Sequence, residues 1–292
     1  MNDRPDRCVR SLHGGSSAVG LAFVVLSLLL STITFTRNAA ESAPVPVRFP
    51  EGLTHGFLLV RSTAGDIVGY GELTQTVKEG GVAESRLVFR FKDGSLHDEK
   101  VAFSQQRVFT LIRYQLTQRG PSFPEQMDVV VDRGTSTYEV RAKAGEHGAE
   151  KVLTGEIDLP KDAYNGMIVM TLLNLPKGAN ETINVLAFVP EPTAIALELA
   201  FVGEQVIHIG DQSRKAWQYA FKPDIGPVKK ILGTMLGKLP ADFHYDCYVL
   251  ADEVPSFVRF EGPLQLMGPI LSIELISPQV ASGPEDRKHA SK

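Results

Sequence analysis

Alternation of apolar and polar residues with a period of two is the feature that most constrains the fold of this chain. In the run from residue 82 to residue 92, Leu87, Phe89 and Phe91 fall on one face and Arg86 and Arg90 on the other. A period of two is typical of a strand with one buried face. The same period recurs, with these apolar residues sharing a face: Val108, Ile112, Tyr114 and Leu116; Ile195, Leu197, Leu199 and Phe201; and Trp217, Tyr219 and Phe221.

Turn-forming residues divide these runs. Examples are 92–94 (Lys-Asp-Gly), 132–134 (Asp-Arg-Gly) and 144–148 (Ala-Gly-Glu-His-Gly). The turns recur about every 10–15 residues, which leaves no room for the crossover helices that a parallel sheet needs. We therefore predict a mainly β fold, with roughly eight strands before residue 157 and six or seven after residue 180. Such a long antiparallel meander forms a curved sheet, a half-barrel or a barrel.

One segment in the middle of the chain breaks the alternation. Residues 162–175 read as a helix, with Asp162 as N-cap and Pro176 beyond the end. The segment has almost no polar face: Met167, Ile168, Met170, Thr171, Leu172 and Leu173. A helix that is apolar all round must be buried, so we expect this one to lie against the concave face of the sheet.

A second helix is predicted over residues 227–238. Pro227 suits its first turn, and Val228, Ile231, Leu232 and Met235 recur at helical spacing. Lysine residues occupy the opposite side. The fold class therefore includes one buried and one amphipathic helix.

The first 42 residues differ in character from the rest. Arg4, Arg7 and Arg10 precede an uncharged apolar stretch over residues 11–36, and small residues follow it. This order is typical of a signal peptide, and an uncleaved N-terminal membrane anchor is the alternative. In either case the arginines keep the N-terminus inside and the rest is exported, to the periplasm or the exterior, with an inner-membrane anchor if the segment stays. We divide the chain into this leader, one β-rich domain over residues 43–276, and a disordered tail over residues 277–292.

The composition restricts the classes of partner that we expect. The hydrophobic share of 43% and charged share of 22% are those of a globular protein. The formal net charge is −4 and no run of Lys or Arg exceeds two residues, so we expect no nucleic-acid partner. Outside the leader the sole cysteine is Cys247, in a strand-like run, which predicts a buried structural thiol.

The chain carries few signatures of catalysis. It has no Gly-x-Ser-x-Gly, His-Glu-x-x-His or Cys-x-x-Cys motif. His244 and Asp246 have the spacing of two metal ligands on one strand face, but a site needs a third. Glu261 and Glu274 lie on different strands and leave a carboxylate pair open. We expect neither a metal nor another cofactor, and a non-catalytic role is favoured over an enzyme.

Several stretches resemble a family of uncharacterised exported bacterial β-rich proteins, a domain of unknown function. They are 257–263 (Phe-Val-Arg-Phe-Glu-Gly-Pro), 268–270 (Gly-Pro-Ile), 273–275 (Ile-Glu-Leu), and the helix entry 159–167 (Leu-Pro-Lys-Asp-Ala-Tyr-Asn-Gly-Met). The layout is also similar in topology to periplasmic half-barrel carriers of lipids and lipoproteins. The first resemblance implies no assigned activity, and the second implies a fold alone.

These observations favour an exported cell-envelope β-protein that binds an apolar small molecule or lipid in a curved sheet. The expected ligand-binding residues are Met167, Met170, Leu172 and Leu173. A structural or protein-interaction component of the envelope is the first alternative, and a hydrolase is the second. Membrane contact is expected through the N-terminal segment if that segment is not cleaved.

Overall fold

The computed structural model describes residues 44–145, 147–189, 191–209, 212–224, 226, 245–265 and 268–276. Within these ranges, fourteen strands form one antiparallel sheet. The strands are β1 (Thr54–Ser62), β2 (Ile67–Lys78), β3 (Val82–Phe91), β4 (Leu96–Gln105), β5 (Phe109–Arg119), β6 (Glu125–Asp132), β7 (Thr137–Ala144), β8 (Glu150–Glu156), β9 (Glu181–Phe188), β10 (Pro192–Ile209), β11 (Gln212–Pro223), β12 (Asp246–Leu250), β13 (Phe257–Gly262) and β14 (Leu271–Ile276). The α-helix described is α1 (Ile168–Asn174).

The sheet consists of two meanders joined at the middle. Its strand order is β8-β7-β6-β5-β4-β3-β2-β1-β14-β13-β12-β11-β10-β9. β1 pairs with β14 from Phe57↔Ile276 to Ser62↔Leu271, so the first and last strands are neighbours at the centre. The mainly β antiparallel fold is confirmed, with eight strands before residue 157 and six after residue 180 among the described residues. This curved sheet is open, with β8 and β9 as its edges, so of the predicted forms the closed barrel is excluded.

The connection from β8 to β9 links opposite edges of the sheet, and we call residues 157–180 the crossing segment. It protects the free edge of β9, whose backbone would otherwise be unpaired. Asn184 donates its backbone N–H to Asp162 O (3.0 Å) and accepts from Tyr164 N (2.9 Å). The Asn165 side chain then bonds both the N–H (2.7 Å) and the carbonyl (3.0 Å) of Leu186.

Helix α1 is shorter than the predicted helix over residues 162–175, and Asp162 is not its N-cap. The cap position is Met167, with φ −123° and ψ 3° and no side-chain capping bond. Asp162 is engaged elsewhere, because its carboxylate accepts from Asn184 Nδ2 at 2.7 Å. Gly166 has a φ of 70°, which breaks the helical path just before α1. The helix ends before Pro176, as predicted.

The buried apolar side chains of the described residues form two clusters. The main core spans β3–β7, the crossing segment and β9–β12, and includes Phe103, Phe109, Tyr164, Met167, Leu172, Leu199 and Tyr219. The second core lies at the central strands and consists of Leu58, Val60, Phe89, Phe91, Phe123, Leu271 and Ile273. The buried setting predicted for the apolar helix is thus found, since Thr171 and Leu172 of α1 are buried.

The alternation was misleading in one strand. Tyr114 and Leu116 are buried in β5 as predicted, but Ile112 of β5 and Val108, which precedes the strand, are only half-buried. A register shift lies opposite, because Ala102 pairs with Arg113 and Phe103 with Leu111, which leaves Ile112 unpaired in the β4 ladder. The bulge therefore brings Phe109 and Leu111 to the buried face.

The leader, the predicted amphipathic helix over residues 227–238, His244 and the tail over residues 277–292 all lie outside the described residues. Among the helices that are described, none has the length and apolar character required to span a membrane.

Candidate apolar pocket

A pocket of about 360 Å³ opens at one end of the central strands. Four connections surround it: the β1–β2 turn, the β3–β4 turn, the β5–β6 loop and the β13–β14 loop. Its described lining residues are Ser62, Thr63, Ile67, Val68, Phe91, Lys92, Asp93, Ser122, Phe123, Leu264, Gln265, Gly268, Pro269, Ile270 and Leu271. The pocket thus combines the edge of the second core with a set of polar turn residues.

Aromatic and aliphatic side chains form the pocket floor. Phe91 and Phe123 are buried and meet edge to face, with ring centroids 5.8 Å apart. Phe91 lies opposite Gly69 in the β2–β3 ladder, and a Cβ at Gly69 would come within 2.9 Å of Arg90 O and 3.3 Å of the Phe91 ring. Glycine therefore permits the close approach of Phe91 to β2. Leu271 of β14 closes the other side of the floor.

Asp93 and Ser122 link two of the connections at the mouth. Ser122 Oγ donates to Asp93 Oδ2 (2.7 Å), and the Ser95 N–H donates to Asp93 Oδ1 (2.9 Å). The Ser122 N–H in turn donates to Ser95 Oγ (2.8 Å). Desolvation favours the neutral acid, but these hydrogen bonds outweigh it and lower the pKa of Asp93. Asp93 therefore supplies a negative charge at a fixed position.

A buried histidine, His97, lies next to Phe123 of the pocket floor. The His97 ring lies 5.6 Å from the Phe89 ring and 6.3 Å from the Phe123 ring, between centroids. Gln118 Nε2 lies 3.1 Å from His97 Nδ1 and donates to Leu264 O at 3.0 Å. Burial lowers the pKa of His97 to about 4. The imidazole is consequently neutral at neutral pH, and Gln118 of β5 connects it to the β13–β14 loop.

Gln265, one of the lining residues, carries an unsatisfied acceptor in its side chain. Its Nε2 atom donates to Glu125 O at 2.9 Å. Its Oε1 atom is buried and has no hydrogen-bond partner among the described residues. A buried polar atom without a partner carries a free-energy cost.

The four residues predicted to bind a ligand lie elsewhere. Met167 and Leu172 are buried in the main core, and Met170 and Leu173 are half-buried against it. The structure brings these four together on the crossing segment, but none of them lines the pocket described above. Their contact with a ligand stays a prediction.

The sequence analysis did not predict a polar contact in the main core between Tyr114 and Glu99. Tyr114 Oη donates to Glu99 Oε1 at 2.8 Å, and the Tyr114 ring stacks on Phe188 with centroids 6.0 Å apart. Burial raises the pKa of Glu99, and the hydrogen bond from Tyr114 lowers it by a smaller amount. The period of two could have indicated this contact, because it places His97 and Glu99 on the same face of β4 as buried Val101.

Four other candidate residues, Asp246, Cys247, Glu261 and Glu274, lie in the described part of the chain. No cluster of three His, Cys, Asp or Glu residues there could hold a metal ion. Glu261 and Glu274 share Arg259, at 3.2 Å and 4.0 Å, so a cation occupies the place between the two carboxylates. Cys247 is buried in β12, which confirms the predicted burial of this thiol, and burial raises its pKa.

A larger depression of about 610 Å³ lies over β5–β8, but the surface of its lining is polar and apolar in about equal parts: Arg113, Val130, Thr137, Tyr138, Glu139, Thr154, Gly155 and Glu156. The apolar pocket is therefore the better candidate for a site that binds a small molecule.

Comparison with known proteins adds no assignment to this geometry. No protein-family model matches the chain, and no curated protein matches its sequence.

Proposed function

We propose that this chain is an exported cell-envelope β-protein that binds an apolar ligand, such as a lipid chain, in the pocket at the end of its central strands. The observation that carries the proposal is the pocket itself: about 360 Å³, an apolar floor around Phe91, Phe123 and Leu271, and a polar mouth. Small-molecule sites in proteins are typically concave, mostly apolar and about 300–1,000 Å³ in volume.

Export is the part of the proposal that rests on the leader. The basic start, the apolar stretch over residues 11–36 and the small residues after it support a signal peptide or a retained anchor. A retained anchor would keep the pocket near a membrane, where an apolar ligand is abundant.

A probe titration tests binding at the pocket. N-phenyl-1-naphthylamine is a neutral apolar probe whose fluorescence rises in an apolar site. The purified, delipidated full chain should bind it saturably. Ile270→Trp places a large ring into the pocket and should weaken the affinity about tenfold or more, because the added volume competes with the probe.

A matched variant controls for the added tryptophan. Val152→Trp introduces the same side chain on β8, where Val152 is 50% exposed and does not line the pocket. We expect its probe affinity to equal that of the unmodified chain. Lack of saturable binding by the folded, unmodified chain would overturn the proposal and favour a structural or protein-interaction component of the envelope.

A further inference from the structure

We propose that the outer edge of β10, near its C-terminal end, pairs with the same edge of a second copy of this chain. β10 extends to Ile209, but its pairing with β9 ends at Leu199. Beyond that point Asn180 Oδ1 accepts from the N–H of Phe201 at 2.8 Å. Within the described ranges no strand lies beside the remainder of β10, so residues 202–209 form an open edge, which we call the free β10 edge.

The backbone polar groups of Val206 point towards this free edge. The Ala251 N–H donates to Lys215 O at 2.9 Å, so the backbone groups of Lys215 are turned towards β12. Lys215 is the β11 partner of Val206, and this pair is therefore a non-hydrogen-bonded pair of the β10–β11 ladder. The N–H and C=O of Val206 consequently point away from β11. Because the direction alternates along a strand, those of Glu204 and His208 point the same way.

The side chains of the free β10 edge favour pairing. Val202, Val206 and Ile209 are 55%, 67% and 47% exposed, and residues 202–209 contain neither Lys nor Pro. Edges that must stay unpaired usually carry such residues or are covered by another segment. The two outer strands of the sheet follow that rule, because β8 carries Lys151 together with two glutamates and the crossing segment covers β9. The free β10 edge has neither form of protection in the described part of the chain.

A second copy of the same edge is the partner that this sequence fits best. When two free β10 edges run antiparallel about a twofold axis at Val206, each Val206 faces its own copy. Glu204 then lies opposite His208 of the second copy, and the symmetry repeats this pair at the other end. Lys177 donates to Oε1 of Glu204, so Oε2, which is 4.0 Å from Lys215, is the atom that would accept from the imidazole. Cross-strand pairs of a carboxylate with a donor stabilise an antiparallel ladder, and strand addition at an open edge supplies the backbone hydrogen bonds.

Sedimentation velocity of the purified full chain tests the association. We expect a reversible equilibrium between monomer and dimer. Val206→Pro removes an N–H that points to the free β10 edge and leaves the hydrogen bonds to β11 in place. His208→Glu sets carboxylates opposite each other at both ends of the pairing. Each substitution should raise the dimer Kd about tenfold or more.

A second charge substitution is the matched control. His147→Glu makes the same chemical change at an exposed residue of the β7–β8 turn and should leave the dimer Kd unchanged. All these proteins keep residues 1–42, so any association through the leader is common to them.

Chemical cross-linking tests where the two copies meet. In a Cys8→Ser background, Val206→Cys should give a covalent dimer with a short bismaleimide, because the two Cα atoms of a hydrogen-bonded antiparallel pair lie about 5.5 Å apart. Cys247 is buried and should not react. Val152→Cys places a thiol on the edge strand β8, at a residue that is 50% exposed, and should give no covalent dimer.

Three results would each overturn the proposal. They are a chain that stays monomeric at about 0.1 mM, a dimer Kd that neither Val206→Pro nor His208→Glu changes, and cross-linking through Val152→Cys in place of Val206→Cys. Circular dichroism of each variant establishes that its fold is retained.

Discussion

The hydroxyl group of Tyr164 accepts a hydrogen bond from the backbone N–H of Val45 at 2.8 Å, across 119 positions of sequence. Both residues are buried, and the same hydroxyl lies 3.4 Å from Phe109 O. This contact ties the crossing segment to the chain that precedes β1. Asn174 strengthens the tie, because its Oδ1 atom accepts from the N–H groups of Arg48 and Phe49 at 2.8 and 2.7 Å.

Tyr164→Phe should destabilise the protein by about 1–3 kcal/mol, because it leaves the buried N–H of Val45 without an acceptor. Chemical denaturation of the two proteins measures the difference. Tyr70→Phe is the matched control: Tyr70 is 52% exposed on β2, and its loss of a hydroxyl should change the free energy of unfolding by less than about 0.5 kcal/mol. Equal effects of the two substitutions would show that the Tyr164–Val45 contact contributes nothing to stability.

Leu172 tests whether the concave side at helix α1 is filled. Its side chain is 2% exposed within the main core, so Leu172→Ala should cost about 2–5 kcal/mol through lost burial and a new cavity. Met170→Trp should likewise cost about 1–3 kcal/mol through overpacking. Leu53→Ala, at a residue that is 85% exposed, serves as the reference for thermal and denaturant unfolding. Small effects of both core substitutions, with an apolar probe displaced by the Met170→Trp substitution, would instead support a ligand wall at α1.

His97 makes stability depend on pH. Its pKa is about 4 in the folded protein against 6.5 for the ordinary side chain, because burial disfavours the imidazolium. Between these values the unfolded chain binds a proton that the folded chain does not, so stability falls as the pH falls through this window. From pH 7 to pH 5 this contribution amounts to roughly 2 kcal/mol.

The measurement compares the unmodified chain with His97→Gln at pH 7 and pH 5. Glu99 acts in the opposite direction, because its raised pKa lets the folded protein hold a proton at higher pH, but both proteins contain it. The extra loss at pH 5 should therefore disappear in His97→Gln. The same loss in both proteins would contradict a neutral buried imidazole.

The sequence predicted the strands well because a period of two is a local property of the backbone. Phe89 and Phe91 lie on the buried face of β3 as expected. What the pattern could not predict was pairing between distant segments. The bulge at Ile112 depends on the register of β4, and the start of α1 depends on Asp162 pairing with β9.

The pocket could not be predicted from the sequence for the same reason. Its lining comes from four connections far apart in the chain, and none of them carries a recognisable motif. One local signal did exist: Gly69 and Gly71 alternate within β2, and they lie opposite Phe91 and Phe89. A Cβ at Gly71 would come within 2.5 Å of the Phe89 ring, so the glycines mark the place where the second core packs directly on the backbone.

Photolabelling tests the central claim most directly, because it reports where an apolar ligand sits. A long-chain alcohol that carries a diazirine in its chain should be bound to the delipidated full chain, irradiated and mapped by peptide mass spectrometry. We predict saturable labelling, suppressed by excess 1-decanol, on the peptides that contain Phe91, Phe123 and Leu271. Labelling that does not saturate, or that falls on the helix peptide with Met167–Leu173 and not on the pocket peptides, would contradict the account.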